Sequence, residues 1–515
     1  MSAATSAPLA GPRTYPEHVD VLIIGSGPAG ATFARELHDS APHRSVLVVE
    51  AGPRLTDRLG SNIRNLDATA RRQAQDLATR WTGQVASDTG RNGEQIASRP
   101  GTFLLGDAGT SDDQQTAMPA AALSANVGGM GAHWTCACPR PGGSERIGFL
   151  ENTFDEAFDR ASSLLRVTTQ AFPPTAASQR LHQALSTLFD GGRPADRRVQ
   201  PMPLACTPTG AALPAWSGVD TILGELAEGR HEGFGLASET VCRRLLHEAG
   251  RVYGAVLADR ITGHTHVVYV RAVAVAADAL RTPQLLWASG IRPRALGAYL
   301  NDQPQIVSAL ALREPTSGPA GIANGSDDRR DSLTGVFWIP FHEPDFPFHT
   351  QVMQVGTTPV EVPGTAPLHR PVVTWGRFTT KEIRPQDRVE FSDTELDAFG
   401  MPKMSIQYEL TEVDRDTIAR AMRDMVEQAD SIGDFFPGSH PRLLPAGSSL
   451  HYQGTVRMGD VDDGTSVCDR NSRVWGFQNL YVGGNGVIPT ATACNPTATA
   501  MALVVLASRH LIANL

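Results

Sequence analysis

Hydrophobic positions along this chain follow two periods, and the switches between them mark out the elements. Val19 to Ile24 (VDVLII) is a short, β-branched run stopped by glycine, the pattern of a strand buried on both faces of a parallel sheet. Ala31 to Leu37 has helical spacing, and Val46 to Glu50 (VLVVE) is a second buried strand, so the segment predicts a strand–turn–helix–strand unit. From Asp57 to Gln115 the chain is polar and rich in Arg, Asp and Gly, which predicts a long irregular excursion. Asn126 to Trp134 is a glycine-dense loop. Val267 to Ala277 predicts another strand, running into a helix from Arg281 with Pro283 in its first turn and Gly290 at its end. Alternation between Pro371 and Leu410 predicts antiparallel strands. Thr411 to Ile432 predicts a helix, Asn479 to Gly483 a short strand, and Asn495 to Leu515 a long apolar helix.

The order of these elements predicts the architecture. Strand-and-glycine features lie near both ends, with alternating strands between them. The expected fold class is α/β: a Rossmann-like nucleotide-binding domain assembled from discontinuous segments (17–140, 200–305 and 450–515), with an inserted α+β substrate-binding domain (141–199 and 306–449) that carries an antiparallel sheet. Residues 1–16, rich in Ala, Pro, Ser and Thr, are expected to be disordered.

Composition narrows the function. A net charge of −9, with no Lys/Arg cluster, argues against a nucleic-acid partner. The six cysteines are scattered, and Cys136 and Cys138, one residue apart, fit neither a zinc knuckle nor a thioredoxin-type pair. They read as buried small residues of a reducing compartment, and no metal site is expected. No apolar stretch is long enough to cross a membrane, and the first residues lack a secretory pattern, so a cytoplasmic protein is expected, with no membrane partner.

Gly25, Gly27 and Gly30 form G-x-G-x-x-G directly after a strand and at the opening of a helix, with Pro28 and Ala29 between the second and third glycines. The first glycine permits a tight turn, the second lets the backbone approach a pyrophosphate, and the third lets helix and strand pack closely. Glu50 ends the next strand, where a carboxylate accepts from ribose hydroxyls and repels a 2′-phosphate. Near the other end, Tyr481-Val-Gly-Gly-Asn485 is a strand end with glycines, and Asn495-Pro496-Thr497 opens the last helix. A helix N-terminus there can stabilise negative charge on a flavin ring. A single dinucleotide fingerprint favours one bound FAD over an additional NAD(P) site.

The segments GSGPAG…VVEAGP, NVGGMGAHWTCACPRP, RTPQLLWASGI, LHYQGTVRMG and NLYVGGNGVIPTATACNPTATAMAL resemble the glucose–methanol–choline (GMC) oxidoreductases, and within them the pyranose oxidases and glycoside 3-oxidases. The resemblance runs from Val19 to the final helix. It implies FAD as cofactor, His451 as the catalytic base and Asn495 as its partner. It also implies Met130, Val241, Asn485, Pro496 and Thr497 at the cofactor, and His133 where fungal relatives attach FAD covalently. Thr135 and Gln351 fall on positions that contact flavin or sugar, and Arg377 lies near a family arginine. Two departures bear on this. Gly131-Ala132 stands where the family has Ser-Thr before the histidine, which leaves covalent attachment open, and Val352 to Thr374 does not match the fungal substrate loop.

Oxidising a secondary alcohol removes a proton from oxygen and a hydride from carbon. A neutral imidazole can take the proton near pH 7, and an amide can orient the hydroxyl without competing for it. The expected function is oxidation of a sugar or glycoside hydroxyl at carbon 2 or 3, with reoxidation by O2, giving hydrogen peroxide, or by a quinone-like acceptor. A dehydrogenase that ignores O2 and an FAD-containing lyase of the same fold are the alternatives.

Overall fold

The computed structural model describes residues 15–82, 88–89, 95–96, 100–105, 117–210, 213–229, 231–313, 333–355 and 372–515. The disorder expected for the N-terminus and most of the divergent segment after Gln351 fall outside them.

The first sheet is the Rossmann core. Strand His18–Ile24 lies between Val46–Val49 and Thr265–Val275, all parallel, with Phe234–Ala237 beyond Val46–Val49. Thr265–Val275 carries two different partners along its length. Its first half pairs antiparallel with Arg251–Asp259, and Val273 to Val275 pair in parallel with Leu480–Val482. The burial pattern follows that division, alternating in the exposed first half and continuous in the last four residues. Helix Pro28–Ser40 and the terminal helix Thr497–Ala513 pack on one another and on this sheet. The terminal helix is apolar nearly all round because helix Glu151–Leu165 covers another side of it. Helix Glu151–Leu165, assigned by the sequence division to the inserted segment, therefore belongs to the first core.

The second sheet is antiparallel, in the order Gly433–Phe435, Gln305–Leu312, Val372–Thr379, Phe348–Val355, Leu333–Ile339, Gln200–Pro201. Helix Glu412–Ile432 backs it with the stripe Ile418, Ala421, Met425, Ala429 and Ile432, in a core shared with Ile306, Leu310 and Trp375. Thr411 caps that helix, accepting from Asp414 N while the Asp414 carboxylate accepts from Thr411 N. The other alternating segments, Arg388–Leu396 and Pro402–Gln407, form a separate hairpin against helix Asp278–Ala288.

Three local expectations change. A helix, Ala68–Thr82, interrupts the excursion expected to be irregular, and the Asp67 carboxylate accepts from the N–H groups of Thr69 and Ala70 at its start. Pro283 lies inside helix Asp278–Ala288 rather than in its first turn. It offers no N–H to the Ala279 carbonyl four residues back, and the Thr455 hydroxyl donates to that carbonyl instead. The terminal helix begins at Thr497, with Pro496 at the N-cap position and no side-chain cap; the Asn495 amide is used elsewhere.

Candidate active site

A single cavity joins the amino-terminal glycine turn to the late chain. Gly25, Gly27, Pro28, Ala29 and Glu50 line it, together with Met130, Thr135, Val241, Gln351, His451, Asn485, Asn495 and Thr497.

Gly25 has φ +102, and a Cβ there would lie 2.3 Å from the Ala276 carbonyl oxygen. A Cβ on Gly30 would lie 1.9 Å from the Gly25 carbonyl oxygen, so Gly30 serves the packing of helix on strand and does not line the cavity. Gly27 differs from both, since its nearest neighbour to an added Cβ is the Gly128 oxygen at 4.0 Å. A side chain at 27 would fill the cavity itself. Gly27 is also the N-cap of helix Pro28–Ser40, which has no side-chain cap, so its first N–H groups remain for an anion. Glu50 is 7% exposed and accepts from Ser26 N at 3.2 Å, Ser26 Oγ at 2.7 Å and Gly52 N at 3.0 Å. Burial pushes its carboxyl up against these donors, and a carboxylate has acceptor capacity left for a ribose hydroxyl. An uncapped helix start, an open Cβ position and a buried carboxylate fit the phosphates and ribose of a dinucleotide.

On the other part of the lining, His451 Nε2 lies 3.4 Å from Asn495 Nδ2, although the two residues are 44 apart in sequence. Gln351 Nε2 donates to Asn495 Oδ1 at 2.6 Å, from the central strand Phe348–Val355. His451 Nδ1 is 2.7 Å from Gln303 Oε1. Gln303 cannot be turned round, because its Nε2 donates to the Cys494 carbonyl at 2.7 Å and to Thr492 Oγ1 at 2.9 Å. His451 therefore carries its proton on Nδ1 and presents a bare Nε2. The Phe378 ring lies 5.5 Å from the imidazole, centroid to centroid. Enclosure by the surrounding protein pushes His451 down to about 3, so the ring is neutral at ordinary pH.

The loop before His451 is held in an uncommon shape. Leu450 has φ +59, and Asp302 gathers the chain just before it, accepting from Gly447 N at 3.1 Å and from the Ser449 hydroxyl. Burial raises the Asp302 carboxyl to about 6 against these donors.

Three expected site residues lie elsewhere. Arg377 is fully buried under helix Glu412–Ile432, donating to Thr350 Oγ1, the Ala421 carbonyl and Gln428 Oε1. Side chains alternate along strand Val372–Thr379, and its neighbour Phe378 takes the cavity face. His133 ends the short turn Gly129–Ala132 and does not line the cavity. Its Nε2 donates to Asn126 Oδ1 at 3.1 Å, while Met130 and Thr135 on either side reach the cavity. Pro496 is set back from the lining, with Asn495 and Thr497 facing it. Sequence reasoning missed Gln303, Phe378 and His349. Only the register of the antiparallel sheet shows that Gln351 and Phe378 share a face, and Gln303 had no motif around it.

A glycine-turn Rossmann core that shares one cavity with a half-buried, neutral imidazole and a carboxamide defines a nucleotide-dependent oxidoreductase. The chain belongs to the GMC oxidoreductase family: models described as GMC oxidoreductase match residues 144–305 and 385–503, and one described as an NAD(P)-binding Rossmann-like domain matches 23–74. It is 47% identical to a C-glycoside 3-oxidase of Microbacterium trichothecenolyticum over 97% of both chains. It is 45% identical to a C-glycoside 3-oxidase of Arthrobacter globiformis (97% of this chain, 96% of the other), and 31% identical to a pyranose 2-oxidase of Tricholoma matsutake (97% and 94%). Among solved structures, a formate oxidase of Aspergillus oryzae has the same fold, with a TM-score of 0.66 at 15% identity over 97% of this chain and 99% of that one. These relatives bear out the α/β fold with an inserted antiparallel sheet, FAD as cofactor, and an oxidoreductase acting on sugar or glycoside hydroxyls.

Proposed function

We propose that the chain oxidises a secondary ring hydroxyl of a pyranose glycoside, at carbon 3, with His451 as base and Asn495 as its partner. The observation that carries this reading is the 3.4 Å approach of His451 Nε2 to Asn495 Nδ2 on the lining of the cavity that begins at Gly25. FAD, when bound, accepts the hydride. The glycine turn and the first N–H groups of helix Pro28–Ser40 receive its pyrophosphate, and Glu50 its ribose. The uncapped start of the terminal helix at Thr497 would turn partial positive charge toward a cofactor held in this cavity. His133 holds no covalent bond to the flavin in this reading, because its Nε2–H is engaged by Asn126; acid-precipitated protein is expected to be colourless, and a yellow pellet would contradict this.

The hydroxyl proton goes to His451 Nε2, while Asn495 Nδ2 donates to the same oxygen. The Gln303 amide keeps the Nδ1 proton in place and stabilises the imidazolium as it forms. The alcohol loses a hydride and a proton and becomes a ketone; O2 then takes two electrons and two protons to give hydrogen peroxide. Carbon 3 is favoured because the identity to the two C-glycoside 3-oxidases exceeds that to the pyranose 2-oxidase. The test is NMR identification of the product from an aryl C-glycoside and from D-glucose, with peroxide measured. A 3-keto glycoside with one peroxide per turnover is expected; a 2-keto sugar made preferentially from glucose would overturn the regiochemistry, and turnover only with a quinone would overturn the oxidase assignment. We place the protein in the cytoplasm: all six cysteines are free and buried, which suits a reducing compartment, and no described helix is long and apolar enough to cross a membrane.

A further inference from the structure

Behind the Asn495 carboxamide lies a pair of side chains that the mechanism above does not use. His349 is 0% exposed, does not line the cavity, and receives a hydrogen bond on Nδ1 from Trp338 Nε1 at 2.9 Å. An indole N–H can only donate. His349 Nδ1 must therefore be the bare nitrogen, and in the neutral ring Nε2 carries the proton. The acceptor that suits this Nε2–H is the Asn495 side chain, which favours the protonated form of the His349 ring. Gln351 Nε2 donates to Asn495 Oδ1 at 2.6 Å and lies 3.3 Å from His349 Nε2; two N–H donors cannot satisfy one another, and Asn495 Oδ1 is the acceptor that serves Gln351.

The chain of hydrogen bonds thus has two obligate ends. At one, the Trp338 indole, a pure donor, forces His349 to turn a donor toward Asn495, which must answer with Oδ1. At the other, the Cys494 carbonyl, a pure acceptor, fixes Gln303 and hence the Nδ1–H, bare-Nε2 form of His451, to which Asn495 must answer with Nδ2. Both ends demand the same orientation of one amide.

We propose that Trp338 and His349 are positioning residues that set the orientation of the Asn495 amide, and through it keep a donor rather than an acceptor facing the His451 base. The proposal rests on the catalytic reading above only for its kinetic consequence. Without Trp338, His349 is free to move its proton to Nδ1. Its bare Nε2 then opposes Asn495 Oδ1, and the amide turns over. Oδ1 facing His451 Nε2 favours the protonated imidazole, which disables the base. The charged and titratable groups around this pair stay the same in the variants: Asp302 beside the His451 loop, His451 itself, and Arg197, whose guanidinium lies 5.8 Å from the Trp338 ring centroid.

The test uses holoenzyme with bound FAD. Imidazole 15N NMR of the unsubstituted protein is expected to show Nε2–H on His349 and Nδ1–H on His451; the opposite form on His349 would overturn the proposal without reference to any sugar. In Trp338→Phe, anaerobic flavin reduction by an aryl C-glycoside is expected to slow about tenfold or more, with the acid limb of the pH profile moved upward by about one unit. His349→Phe should behave like Trp338→Phe, and His349→Gln, whose amide can donate to Oδ1, should recover most of the rate. A Trp338→Phe enzyme with an unchanged pH profile, or His349→Gln no better than His349→Phe, would overturn the proposal. No flavin reduction by any sugar in the unsubstituted enzyme, with both histidine forms as expected, would sink the sugar-oxidase reading and leave the positioning network standing.

Discussion

The two parts of the cavity lining are built in opposite ways. The nucleotide part is centred on one stretch, Gly25 to Glu50, and apart from the Glu50 carboxylate that stretch works through backbone: small residues, an open Cβ position at 27 and an uncapped helix start. The reacting part is assembled from Gln303, Gln351, Phe378, His451 and Asn495, which meet only because an antiparallel sheet, a loop and a helix start converge. The helices that start at Thr175 and Thr411 carry capping boxes, whereas those at Gly27 and Pro496, on the cavity side, have no side-chain cap. Binding by backbone tolerates most side-chain changes but no added bulk. Chemistry by a hydrogen-bonded network has one side chain per task and no spare. The two parts should therefore fail separately.

The largest effect expected is for His451→Ala, which removes the base from the second part alone. Flavin reduction should fall about a thousandfold or more, with FAD content unchanged; loss of FAD instead would show that the two parts are not independent. Gly27→Val is the reciprocal test. A branched side chain in the cradle should weaken FAD binding by about a hundredfold, read by flavin fluorescence, while the thermal stability of the apoprotein stays nearly the same. Asn495→Ala keeps the base and should cost about ten- to a hundredfold in reduction rate, with FAD retained.

Smaller effects concern stability. His349 and His451 are both held down to about 3, chiefly by burial. An unfolded chain takes up a proton on each below about pH 6.5, and the folded chain does not, so each contributes stability at neutral pH that is lost as the pH falls from about 6.5 toward 3. His349→Phe removes one of those protons. Its unfolding free energy, from urea titrations across pH, should fall with acid less steeply than the parent's, by up to about 1.4 kcal/mol per pH unit between about pH 5.5 and 4. Least of all, Thr411→Ala, far from both parts, should cost about 1 kcal/mol of stability and leave reduction unchanged.

How much of this was legible beforehand follows the same division. The glycine turn, its strand, helix and Glu50 are contiguous, so their roles could be read from spacing. The meeting of His451 with Asn495 could not; it was implied only by the family resemblance, since no local rule relates residues 44 apart. Arg377 shows how narrow the margin is. Sequence similarity marked the right strand, but alternation puts Phe378 on the cavity face and buries Arg377 beneath a helix. His133 does not line the cavity, because a short turn carries its neighbours there and leaves the imidazole to Asn126. Pro283 looked like a helix start because proline favours that position; the helix runs past it because Thr455, from a distant segment, satisfies the carbonyl that proline leaves free. Gln303, His349 and Trp338 carried no local signal, since their importance lies in which atom each turns toward the next.

A structure of the enzyme with FAD and an aryl C-glycoside tests the central claim most directly. The account predicts one ring hydroxyl, that on carbon 3, within hydrogen-bond reach of both His451 Nε2 and Asn495 Nδ2, with the hydrogen on the same carbon directed at the flavin. A glycoside seated with no hydroxyl near that pair, or a flavin ring on the far side of the cavity from His451, would contradict it.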